Sequence, residues 1–107
     1  MITETIFAGR NNTFSLQLVR GGEAVNLLSI TGYELVLSED PDLRFQDVNQ
    51  STFDEGIFIE KGNGVVEINI GTRLTEDNVG KYKAYLVTYD PVNLNGVRWP
   101  PFYLKVV

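Results

Sequence analysis

Seven consecutive residues constrain this chain more than any others: Asn78-Val79-Gly80-Lys81-Tyr82-Lys83-Ala84. An Asn makes a turn, a Gly relaxes it, and a Tyr two residues on is placed to send its hydroxyl back to the backbone. This is the sequence of a tyrosine corner, the bend from which a strand of a β-sandwich sets out. A chain that carries it must also supply a second sheet for that strand to pack on. The rest of the sequence reads accordingly.

Apolar residues recur at period 2 rather than 3.6, the signature of half-buried strands. Phe14, Leu16 and Leu18 alternate with Ser15, Gln17 and Val19. Tyr33, Leu35 and Leu37 alternate with Glu34, Val36 and Ser38, and Val66, Ile68 and Ile70 with Glu67 and Asn69. Ile57 and Ile59 flank Phe58 in a further strand. After the corner, Tyr82, Ala84, Leu86 and Thr88 share one face, and Tyr85, Val87 and Tyr89 the other. The last run places Phe102, Leu104 and Val106 inside.

Turn chemistry separates these runs. Gly21-Gly22 ends the first, and Val25, Leu27 and Leu28 form a short apolar crossover at the core edge. Asn63-Gly64 tolerates the positive φ angles of a tight hairpin, which makes the strands on either side antiparallel neighbours. Asn95-Gly96 is expected to join the last two runs in the same way. Pro100-Pro101 cannot donate ladder hydrogen bonds, so the final strand begins after them or runs along an edge. Residues 39–53 lack clean alternation and read as a long irregular loop. A helical turn is expected near Leu74 to Val79, with Thr75 capping it, and an N-terminal strand at residues 5–8. The expected fold is therefore all-β: an immunoglobulin-like antiparallel β-sandwich of about seven strands, one domain over residues 1–107. Ala84 stands where antibody domains carry a disulfide cysteine.

Composition removes most chemistries. With 107 residues the chain can bury roughly 65% of its unfolded surface in one core. It has no Cys and no His. That excludes a disulfide, a thiolate metal site and a thiol nucleophile, and it removes the usual general base. The net charge of −5 argues against nucleic acid, whose phosphates need a basic face. No apolar run approaches the ~18 residues of a membrane span, and the N-terminus lacks a signal-peptide pattern. Met1 suggests a complete small product. The charge is segregated: eight carboxylates and Arg44 alone lie from Glu34 to Glu60, whereas four carboxylates and six Lys or Arg follow Glu60. Such polarity can order a stack or a ring of subunits.

Few residues remain as candidates. Asp40, Asp42, Asp47, Asp54 and Glu55 supply carboxylates, but without the spacing of a calcium loop and with nothing to separate their pKa values for acid–base work. Gly62 and Gly64 lie in a hairpin, not before a helix as a phosphate cradle would. Arg98-Trp99 follows a turn and precedes two prolines, and Arg and Trp are enriched at interface hot spots. Trp99 reads either as such an anchor or as a lid on its own core. Phe45 and Phe53 flank the acidic stretch and pose the same choice. The interface candidates are thus Arg98, Trp99, Phe45 and Phe53. No catalytic, cofactor or metal residue is expected.

The order of these pieces resembles that of the immunoglobulin-like modules of tailed-phage virions, especially the N-terminal domain of phage baseplate upper proteins. In those domains a strand, a Gly turn, a Val-x-Leu crossover, a strand, a Gly-x-Val hairpin and a Gly-x-Tyr corner follow one another. Here the matching pieces are Phe14 to Val19, Gly21-Gly22, Val25-Asn26-Leu27, Gly32 to Leu37, Asn63-Gly64-Val65-Val66 and Gly80-Lys81-Tyr82. The long C-terminal extension of baseplate proteins has no counterpart. The resemblance implies a non-enzymatic virion structural protein of the tail, baseplate or capsid surface, made in the host cytoplasm. Its expected partners are other virion proteins, through self-association or docking on a larger assembly. The alternative is a carbohydrate- or surface-binding module, with or without calcium, in which Tyr85, Tyr89 and Trp99 stack on sugar rings.

Overall fold

The structure, a computed structural model, describes residues 2–47 and 56–107. Its strands are β1 (Thr3–Ile6), β2 (Asn12–Gln17), β3 (Val19–Arg20), β4 (Glu23–Ala24), β5 (Gly32–Glu39) and β6 (Asp42–Asp47). They are followed by β7 (Phe58–Gly62), β8 (Val65–Gly71), β9 (Gly80–Tyr89), β10 (Val97–Arg98) and β11 (Phe102–Val106). Single 3-10 turns lie at Leu27–Ser29 and Glu76–Asn78. The larger sheet has the order β1-β11-β9-β5-β6, with β10 also on β9, and the smaller sheet the order β2-β8-β7. β1 runs parallel to β11, and the other pairings are antiparallel. First strand beside last, a hairpin partner added at the far edge, and a separate three-stranded sheet: this is the strand order of an immunoglobulin-like sandwich.

The alternating residues meet between the sheets. Val66, Ile68 and Ile70 from β8 pack with Leu35 of β5, Ala84 and Leu86 of β9 and Leu104 of β11, all essentially inaccessible. Burying each large aliphatic side chain contributes about 1.5–3 kcal/mol. The corner forms as its sequence implies. Thr75 caps the 3-10 turn in a reciprocal capping box with Asn78, and the Tyr82 hydroxyl donates to the Asn78 carbonyl at 2.6 Å. Buried Asn12 closes the β1–β2 connection, accepting from the Phe7 N–H at 3.0 Å and donating to the Phe7 and Arg10 carbonyls at 2.8 Å. The Asn63-Gly64 hairpin is also present, with φ of 52° and 73°. A Cβ on Gly64 would lie 2.5 Å from the Leu18 carbonyl oxygen, so this turn admits no other residue without a backbone shift.

Four expectations need correction. Residues 42–47 are not loop but strand β6, paired along β5 with a bulge between Val36 and Ser38. Of its side chains Leu43 and Phe45 reach the core, while Asp42, Arg44 and Gln46 are the polar residues an edge strand carries. Asn95-Gly96 is not a two-residue hairpin. The connection is a loop over residues 90–96, closed by the Asp90 carboxylate, which accepts from the backbone of Val92 and Asn93 at 2.9 and 2.8 Å. Leu27 alone of the Leu27-Leu28 pair is buried, whereas Leu28 is 91% exposed, because the 3-10 turn projects adjacent residues in different directions. The N-terminal strand is Thr3–Ile6 rather than 5–8, since the ladder with β11 starts at Thr3 against Tyr103.

Candidate functional site

The unusual surface is the outer face of the larger sheet. On β5 and β9 the inward residues belong to the core, yet their outward neighbours are buried as well. Val36, Tyr85 and Val87 form a second apolar cluster, 1%, 8% and 9% exposed, with Tyr89 against it. Among the described residues, polar side chains cover this cluster. The Arg98 guanidinium lies 3.7 Å from the centre of the Tyr85 ring and 4.0 Å from the Glu39 carboxylate, which accepts a hydrogen bond from the Tyr85 hydroxyl. Glu34, 6% exposed, accepts from Gln46, from Arg44 at 3.5 Å and from the Tyr89 hydroxyl at 3.4 Å. Arg44 also pairs with Asp42.

The local sequence explains the array. Val36 faces Tyr85 and Glu34 faces Val87 across β5–β9, while Arg44 faces Val36 and Gln46 faces Glu34 across β5–β6. Glu34 therefore sits between strands that each offer it a donor. A buried carboxylate needs such partners to stay charged. The electrostatics follow the contacts: the bond to Glu39, then burial, raises the Tyr85 phenol. Burial, then the Glu34 charge, raises that of Tyr89, and the bond to Asp42 raises the Arg44 guanidinium. The result is a pre-ordered surface whose Tyr and Arg side chains are of the types that protein–protein contacts favour.

Arg98 of the sequence candidates lies on this face. Trp99, the next residue, points the other way: its ring is 8% exposed, and its indole N–H donates to Thr88 Oγ1 at 2.9 Å. It closes the core beside a cleft of about 500 Å³ between β1 and β2, with Arg20 5.2 Å over its ring. Phe45 is buried in the core, and Phe53 lies outside the described residues. Tyr85 and Tyr89 thus face away from Trp99, so the three do not form one stacking platform, and Arg98 already occupies the Tyr85 ring. Glu34, Arg44 and Gln46 were not singled out by the sequence. The available signal was the second half of β9, where Tyr85, Val87 and Tyr89 follow one another on the outward side with no charged residue among them.

Among the described residues no three or more acidic side chains converge as a metal site would require, and Asp54 and Glu55 lie outside them. No helix among the described residues is long and apolar enough to cross a membrane.

No protein-family model matches the sequence, and no curated protein matches it at a significant level. Among solved structures the chain is similar to the NK cell receptor NKp44, a triggering partner in natural cytotoxicity. The TM-score is 0.49 at 15% identity, over 99% of this chain and 97% of that one. At that level the strand order, not the superposition, establishes the fold.

Proposed function

We propose that this chain is a non-enzymatic interaction domain that docks on protein through the outer face of its larger sheet. Its proposed setting is the one the order of sequence motifs suggests, the tail, baseplate or capsid surface of a tailed phage. The observation that carries the docking reading is the buried Glu34 carboxylate with its three donors beside Val36, Tyr85 and Val87. Ordering these side chains before contact removes part of the entropy that association would otherwise cost. The virion setting rests on the motif order alone.

Light scattering coupled to size exclusion tests the reading. A discrete closed oligomer from the purified chain is the expected result, since virion parts assemble with point-group symmetry. A strict monomer that binds a glycan array, or whose melting temperature rises with calcium, would replace this reading with the carbohydrate-binding one.

A further inference from the structure

The lower half of the same face, where β9 leaves β5 and pairs with β11, carries a different pattern. Lys81 and Lys83 project outward from β9 and Lys105 from β11, all exposed, alternating with buried Ala84, Leu104 and Val106. Lys81 and Lys105 are direct cross-strand partners, an arrangement of like charges that destabilises a sheet. Lys81 lies 4.3 Å from the Tyr103 ring centre, and among the described residues none of the three has a carboxylate within ion-pair distance. Across the same end of the sheet, the β5–β6 hairpin brings Glu39 against Asp42, with Asp40 between them at the turn. Three strand spacings, about 14 Å, separate β11 from β6. The face is therefore basic along one side, while along the other Glu34, Glu39 and Asp42 outnumber Arg44 and Arg98, with which they pair.

We propose that a second copy of this chain docks face to face here about a two-fold axis, with Lys81, Lys83 and Lys105 of each copy on Glu39 and Asp42 of the other. The inference rests on the docking reading above and names its partner. A two-fold contact applies one patch to itself, and a patch split into opposite charges is complementary to its own rotated image. The like-charge pair of Lys81 and Lys105 then gains the carboxylates it lacks within the chain. The size is adequate when the contact, anchored at these charges, extends over the whole outer face: five strands about 4.8 Å apart and about seven residues long give about 550 Å² per copy, or about 1,100 Å² in total, above the ~1,000 Å² of a specific interface. The net charge of −5 makes two copies repel at long range, so the lysine side selects the orientation in which they approach.

Sedimentation velocity over a concentration series, in low and high salt, tests this on the full chain. Wild type is expected to be a dimer that weakens with salt. The variant K81E/K83E and the variant E39K/D42K are each expected to weaken association at least tenfold, and a one-to-one mixture of the two to restore a heterodimer. Should E39K/D42K fail to fold, as a circular dichroism melt would reveal, K105E repeats the test from the basic side, where no pairing is lost. A wild-type dimer indifferent to both reversals and to salt overturns the lysine–carboxylate contact but leaves docking by this face standing. A chain that is monomeric at high concentration and low salt overturns the second copy as occupant, and a trimer or another odd-numbered ring overturns the two-fold axis.

Discussion

The outer faces of the two sheets were built by opposite means. On the smaller sheet Ile59 is exposed opposite Glu67, and polar outward residues pair across strands: Lys61 lies 3.5 Å from Glu67, and the Thr13 hydroxyl donates to Asn69 at 3.2 Å. Water finishes that surface. On the larger sheet Val36, Tyr85 and Val87 are buried under Arg98, Arg44 and Gln46, and a carboxylate is held beneath them. One face is left to solvent and the other is constructed. The difference teaches that the side of a sheet away from the core is not by default passive, and that outward Tyr and Val in a central strand mark where it is not.

That contrast can be broken by substitution. Tyr85→Ala should cost about 3 kcal/mol in urea unfolding, near the loss for a buried aromatic; a loss below about 0.5 kcal/mol would make the face ordinary surface. Val36→Ala should cost about 1.6 kcal/mol, two buried methyl groups at about 0.8 each. A smaller effect sharpens the contrast within one sheet. Tyr85→Phe, which leaves Glu39 without its donor, should cost about 1 kcal/mol. Tyr33→Phe should stabilise by a similar or smaller amount, because the core-facing Tyr33 hydroxyl is buried without a hydrogen bond of good geometry and stacks at 5.3 Å on Phe58. Smallest of all, Glu67→Ala at an outward position of the smaller sheet should stay within about 0.5 kcal/mol.

Alkaline pH separates the same groups. Burial, with the nearby Glu60 charge as a lesser cause, holds the Tyr33 phenol far above its ordinary range, and Tyr85 and Tyr89 are raised as well. A phenol with a folded pKa above its unfolded value of about 10 contributes stability that is intact below pH ~10 and lost as the pH rises through the folded values. The urea midpoint should therefore hold between pH 7 and 9 and fall above about 10. In Tyr33→Phe the fall should be shallower, and an equal slope would remove Tyr33 as its main source.

Much of the fold was legible in the sequence because local physics dictated it. The Tyr82 corner, the Asn63-Gly64 hairpin, the Thr75 cap and the inward sets of β8 and β11 each follow from residues close together in the chain. What was not legible depended on distant neighbours. β6 offers only Leu43 and Phe45 to the core, too short an alternation to announce a strand until β5 lies beside it. The 90–96 loop looked like a tight turn because Asn-Gly is permissive; Gly96 is there because a Cβ would meet a Val87 methyl carbon at 2.6 Å. The candidate face was legible only as outward tyrosines on β9. Glu34 gave no local hint that Arg44, Gln46 and Tyr89 would converge on it.

The parallel pairing of β1 with β11 has a mechanical meaning. Tyr103 N–H donates to the Ile2 carbonyl and Val107 N–H to that of Ile6, both at 2.9 Å, so the first and last strands of the fold lie side by side pointing the same way. Tension applied through the two chain ends drags these strands past each other along their common axis. The ladder is then loaded in shear, with its bonds sharing the force, rather than peeled open one bond at a time as a hairpin would be. A domain strung in series under load resists extension best in this arrangement.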